Sequence, residues 1–243
     1  MTIRRLPSSL VLFFWVLSLT TTATAGDYAE RRIIGFSDQG RHFAFEQFGR
    51  QDGSGFAYAE IIVIDIEADD WVAGTPVRVL LRDETAGIAY ARAKAAEQAA
   101  GTLKQLGIWH PGELLASNPP AEIGRDPLKV SVNARFPLPG EAQELTFALQ
   151  QFPLSATSCA GFSNQPIKGF RLQMTKGAAK PLILHEDTSI PKSRHCPLGY
   201  AISDVARFVA PNRSTTYALL VSVLRVGFEG PDRRFIAVTA KSP

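Results

Sequence analysis

At 243 residues, with 26 basic and 23 acidic side chains and a formal net charge of +3, the chain lacks the basic excess expected of a nucleic-acid partner. It has no long like-charge runs and no low-complexity tracts, and it is long enough to bury a sizeable core.

Arg4 and Arg5 precede an apolar run from Leu10 to Leu17, and Ala23-Thr24-Ala25 follows. Charge, apolar stretch and small residues in that order predict a secretory signal peptide over residues 1–25. The apolar run is too short to span a bilayer comfortably, and no cysteine follows it to carry a lipid. The expected mature chain is therefore 26–243, a single mainly-β secreted domain in the periplasm or outside the cell, with a net charge of about +1 once Arg4 and Arg5 are gone. Nothing after the leader is apolar enough to cross a membrane, so neither membrane insertion nor nucleic-acid binding is expected.

Residues 32–65 organise the mature chain, with strand patterns at 41–48 and 60–66. Phe43-Ala44-Phe45 and Ile61-Ile62-Val63-Ile64 are continuous apolar runs, which predicts strands covered on both faces. Ser37-Asp38-Gln39-Gly40 and Gln51-Asp52-Gly53-Ser54-Gly55 are turn chemistry at either end of the first strand, with Asp38 expected to close its turn. Residues 36–45 followed by Glu60-Ile61-Ile62-Val63-Ile64-Asp65 resemble one blade of a TolB-type β-propeller, with Asp38-Gln39 standing where that pattern has Pro-Asp. The segments 51–60 and 227–238, with Trp71-Val72 and Thr75-Pro76 between them, resemble a bacterial family of predicted secreted proteins known only as a domain of unknown function. That resemblance implies export and transfers no catalytic residues.

Trp71 and a strand at 75–81 should complete a small sheet. Asp83 is placed to cap a helix over 84–106, with Gly107 as its stop. Ile88, Ala91, Ala95, Ala99, Leu103 and Leu106 keep helical spacing, and their small size predicts close packing. Residues 108–126 are rich in Pro and Gly. Strands follow at 128–136, 144–152, 167–175, 181–185, 217–226 and 233–239, with Pro137-Leu138-Pro139-Gly140 and Lys176-Gly177 reading as hairpin connections. The fold class is mainly β: antiparallel sheets, propeller-like or sandwich, with one inserted Ala-rich helix. The first hairpin also echoes the last, Phe43-Ala44-Phe45 falling on Tyr217-Ala218-Leu219 and Gly53 on Gly227.

Cys159 and Cys196 are the only cysteines, and in an exported chain they predict a disulfide. No metal-ligand spacing, nucleophile elbow or phosphate loop is present, so no catalytic residue, metal or cofactor is assigned. His185-Glu186-Asp187 forms the densest polar cluster, at a strand end, and reads as a solvated turn in preference to a general base or metal site. Glu46 and Glu60 interrupt apolar strands and call for ion-pair partners, for which Arg41, Arg50 and Arg233 are the candidates.

Three functions fit: a periplasmic binding or scaffold module, an envelope hydrolase using dispersed carboxylates such as Glu46, Glu60 and Glu186, or a structural partner subunit. The first is preferred, with an envelope protein or a small ligand as its partner. Binding residues favour loops held by rigid sheets. Asp52 and Ser54 in one Gly-rich loop, with Glu229, Asp232 and Arg233 in the other, are therefore the candidate recognition patch.

Overall fold

The computed structural model describes residues 26–134 and 144–241. The leader at 1–25 and the turn at 137–140 lie outside those residues.

Three antiparallel strands, β1 (Glu30–Ser37), β2 (His42–Arg50) and β3 (Ala57–Asp65), form a meander. The short strands β4 (Asp70–Trp71) and β5 (Val77–Leu80) both pair with β3. The helix α1 (Ile88–Gln105) follows, and β6 (Ile108–His110) returns to pair with β1, completing the first sheet. Next in the chain come β7 (Glu113–Ser117), β8 (Lys129–Asn133), β9 (Glu144–Pro153), β10 (Lys168–Lys176) and β11 (Leu182–Glu186). The last three strands are β12 (Pro197–Val209), β13 (Thr215–Arg225) and β14 (Asp232–Lys241). The order β14-β13-β12-β7 makes a central sheet, and β11-β10-β9-β8 makes an outer one.

Alternation along each strand stacks these sheets. Tyr58, Ile62 and Ile64 of β3 join Phe43 and Phe45 in a layer against Ala218, Leu220 and Phe235 of the central sheet. Ala57, Ala59, Ile61 and Val63 face the opposite way, onto Ala91, Ala95 and Ala99 of α1. Leu219, Val221 and Val223 of β13 turn from the first sheet toward Phe147, Leu149, Phe170 and Leu172 of the outer sheet. The order is helix, first sheet, central sheet, outer sheet. Among the described residues no packed layer joins the first sheet to the outer one, so the sheets form a sandwich-like stack with no closed barrel.

The helix begins later than its sequence pattern suggests. The Asp83 carboxylate accepts hydrogen bonds from the Thr85 N–H (2.9 Å) and hydroxyl (2.7 Å), and this local turn leaves extended Gly87 as the N-cap. Gly107, at φ 64°, ends the helix as expected. In the turn before β2 it is the Ser37 hydroxyl that accepts the Arg41 and His42 N–H groups, while Asp38 pairs with His110. The echo between hairpins is real in length but offset by one residue. The loops align Arg50 with Arg225 and Ala57 with Asp232, so Phe43 and Phe45 correspond to Ala218 and Leu220, all four in the layer between the two sheets.

Candidate binding cleft

The edges of all three sheets converge at one place. β14 is the edge strand of the central sheet, β3 and β5 approach it from the first sheet, and the connection from β11 to β12 closes over it from the outer sheet. Between them lies a cleft of about 770 Å³, a size that suits a small organic molecule. Phe45, Ile62, Ile64, Ala237 and Val238 contribute its apolar wall. Glu60, Arg78, Arg225, Arg234 and His195 supply charge and hydrogen-bonding capacity at one end, and Asp69 and Asp70 lie toward the other.

Several contacts fix that charged end. The Gln47 side chain accepts the Phe235 N–H at 2.9 Å and donates to Glu60 at 2.9 Å, tying the first sheet to the β14 edge. Arg78 donates to the other Glu60 oxygen at 3.2 Å. Arg234 forms an ion pair with Asp27 and lies over the Tyr58 ring, 4.7 Å from its centroid, while the Tyr58 hydroxyl donates to Asp27 at 2.8 Å. Arg225 differs from its neighbours: among the described residues Asp232, at 3.7 Å, is the one acid within 4 Å of it, and it donates no hydrogen bond to any of them.

His195 stands beside the disulfide. Cys159 and Cys196 are bonded, with their Cα atoms 5.5 Å apart, and the Val226 N–H donates to the Cys196 carbonyl at 3.0 Å. The loop carrying His195 is thereby pinned to the end of β13, with His195 itself at φ 55°. Deeper in the same wall, Asp187 is buried. It accepts two bonds from Arg194 at 2.7 Å, one from the Phe170 N–H at 2.9 Å, and lies 2.8 Å from His185. Arg194 in turn packs on the rings of Phe170 and Tyr200.

The crowding of cations leaves its mark on proton affinities. Burial lowers the pKa of Arg225, and Arg234 beside it lowers it further, against Asp232 and Asp27. Partial desolvation lowers that of His195, reinforced by Arg225 and Arg234. Burial opposes the charge of Arg234, but the Asp27 hydrogen bond and neighbouring acids raise its pKa overall. The Tyr58 hydroxyl is pushed upward, chiefly by burial.

A family profile described as "Predicted secreted protein (DUF2259)" matches residues 44–241, from within β2 to the end of β14. The chain belongs to the DUF2259 family. A comparison with curated proteins found no match. The DUF2259 match contains every cleft residue named above, and Asp27, which anchors Arg234, lies ahead of it.

In this DUF2259 chain the two loops singled out from sequence do meet: a methyl group at Gly53 would sit 3.4 Å from the Phe228 ring. Their polar residues do not converge on one point. Asp52 accepts the Gly53 N–H at 3.0 Å, Ser54 donates to Gln51 at 3.1 Å, and Glu229 is exposed. Arg233 turns away from the cleft, donating to the Ala29 carbonyl at 3.2 Å and lying over Tyr28. Asp232 alone among them reaches the cleft, through Arg225. The carboxylates considered for hydrolysis are scattered. Glu46 sits opposite Ile61 and Glu60 opposite Gln47, so the two acids face opposite sides of the first sheet. Glu46 pairs with Arg92 and Arg32, Glu60 with Arg78, and Glu186 with Arg171; none uses Arg41, Arg50 or Arg233. Arg225, Arg234 and His195 carried no motif in the sequence. The one available signal was position, since Arg225 and Arg234 flank the loop that was singled out and His195 adjoins Cys196.

Proposed function

We propose that this protein is an exported binding module that holds a small ligand in the cleft between β3, β5 and β14. The observation that carries this reading is the cleft itself: an apolar wall and convergent charged groups on edges of rigid sheets. Export is supported by the family description and by the disulfide. We place its working compartment in the periplasm, with the leader at 1–25 removed and 26–243 acting as a single domain. Native mass spectrometry of the protein isolated from that compartment tests the binding role. A co-purifying mass should be present in the native protein and lost from Ala237→Trp, whose indole obstructs the apolar wall of the cleft. Ligand retained by Ala237→Trp would place binding elsewhere.

A protein partner is the second reading, and one observation favours it. Arg233 on β14 exchanges backbone hydrogen bonds with Asp27 and Ala29 on its outer side. By strand alternation Ala237 and Thr239 direct their backbone groups the same way, and no strand pairs with that edge among the described residues. An extended segment of an envelope protein could add there as a further strand.

A further inference from the structure

We propose that the Arg225 corner of the cleft is an oxyanion-recognition subsite, and that the ligand is an amphiphile carrying one carboxylate or phosphate group on an apolar body. The inference deepens the small-ligand reading of the cleft and rests on it.

Arg225 carries the argument. Its side chain is 16% exposed, and a guanidinium presents five donors in a planar fork suited to carboxylate and phosphate. Every other cation at this end is already engaged. Arg234 is bonded to Asp27 and to two backbone carbonyls, and Arg78 is bonded to Glu60. Arg225 has only the long approach to Asp232, one oxygen of which receives the Asp27 N–H at 3.2 Å. Its remaining donors reach solvent at the cleft, where an oxyanion can replace the water that now completes their shell. Beside it stand Arg234, paired with Asp27, and the His195 ring, which makes no hydrogen bond to a described residue. Three acids face this corner: Glu60 has both oxygens occupied by Gln47 and Arg78, Asp27 is paired with Arg234, and one Asp232 oxygen accepts the Asp27 N–H, which limits their repulsion of an incoming anion.

The rest of the cleft defines the remainder of the ligand. From Glu60 the wall continues along β3 through Ile62 and Ile64, with Ala237 opposite. Four residues of strand span roughly 13 Å, about the length of a medium hydrocarbon chain. Asp69 and Asp70 lie beyond Ile64, near Trp71, and would repel a second anionic group there. One charged head at Arg225 with an apolar tail along β3 satisfies both ends.

The test titrates the disulfide-intact mature protein with octanoate, octyl phosphate and octanol, following backbone amides by NMR. At least one of the two oxyanions should bind about tenfold or more tightly than octanol, as a charge-assisted hydrogen bond predicts. Shifts should centre on Arg225, His195, Ile62 and Ala237. Which of octanoate and octyl phosphate binds better identifies the head group. Arg225→Gln should abolish the preference over octanol, and Arg225→Lys should retain part of it. Equal binding of octanol and both oxyanions to the cleft would overturn the anion subsite and leave the cleft as an apolar binding site. If none of the three perturbs the cleft, both readings fail. Should Arg225→Gln not fold, the comparison of the three probes on the unaltered protein decides alone.

Discussion

The side-chain carbonyl of Gln47 accepts the backbone N–H of Phe235 at 2.9 Å, joining residues 188 positions apart. The contact terminates the free part of the β14 edge and fixes how closely the first and central sheets approach. Gln47→Leu keeps the side-chain size but leaves the Phe235 N–H buried without a partner. It should destabilise the protein by about 1–3 kcal/mol in chemical denaturation. An unchanged midpoint would mean that water reaches Phe235 and that the sheets do not close there.

Acid should weaken the fold through two buried carboxylates. Burial alone would raise the pKa of Glu46, but hydrogen bonds from Arg92 and Arg32 outweigh it and lower it overall. Burial likewise opposes Asp187, whose bond to His185, the Arg194 charge and the Phe170 N–H bring its pKa down. Both folded-state values lie below the unfolded ones, so their stabilisation is complete only above about pH 5.5 and is lost as pH falls through the unfolded and then the folded values. Denaturation midpoints measured between pH 6 and pH 3 should fall steadily at the acid end. Glu46→Gln should flatten that slope, since it removes one of the two groups.

Ala91, Ala95 and Ala99 are fully buried beneath the first sheet. A larger residue there must push α1 outward. Ala95→Leu should therefore lower stability by about 1–3 kcal/mol, whereas Ala96→Leu on the exposed side should stay within about 0.5 kcal/mol. Thermal melts of the two variants make the comparison directly.

Breaking the Cys159–Cys196 bond opens a loop spanning 37 positions. Chain entropy assigns such a closure about 4 kcal/mol. The double variant Cys159→Ser, Cys196→Ser should lose stability of that order. It should also exchange amide hydrogens faster at 192–196, where the bond holds His195 against β13. Free thiols in alkylation of the unreduced protein would contradict the pairing.

Much of this architecture could be read from local pattern. The double-sided burial of β3 follows from its unbroken Ile61-Ile62-Val63-Ile64 run, and the alanine spacing of α1 foretold its close packing. The longest strand did not show itself. β12 contains Ser203 and Asp204 in mid-course, and bulges near Gly199 and Ser203 break its alternation. Asp204 is tolerated there because Arg31, from the first sheet, donates to it at 2.8 and 3.1 Å. Such a partner is far away in sequence and invisible to a local pattern. The cleft was hidden for the same reason: Glu60, Arg78, His195, Arg225 and Arg234 are assembled by the stacking of sheets, not by any motif.

The most direct test of the cleft as the working site is a crystal structure of the protein isolated undenatured from its native compartment. The account predicts ligand density between β3 and β14, running from Arg225 along Ile62 toward Ile64. Ligand density elsewhere, such as on the loop around exposed Phe228, with only water in the cleft, would contradict it.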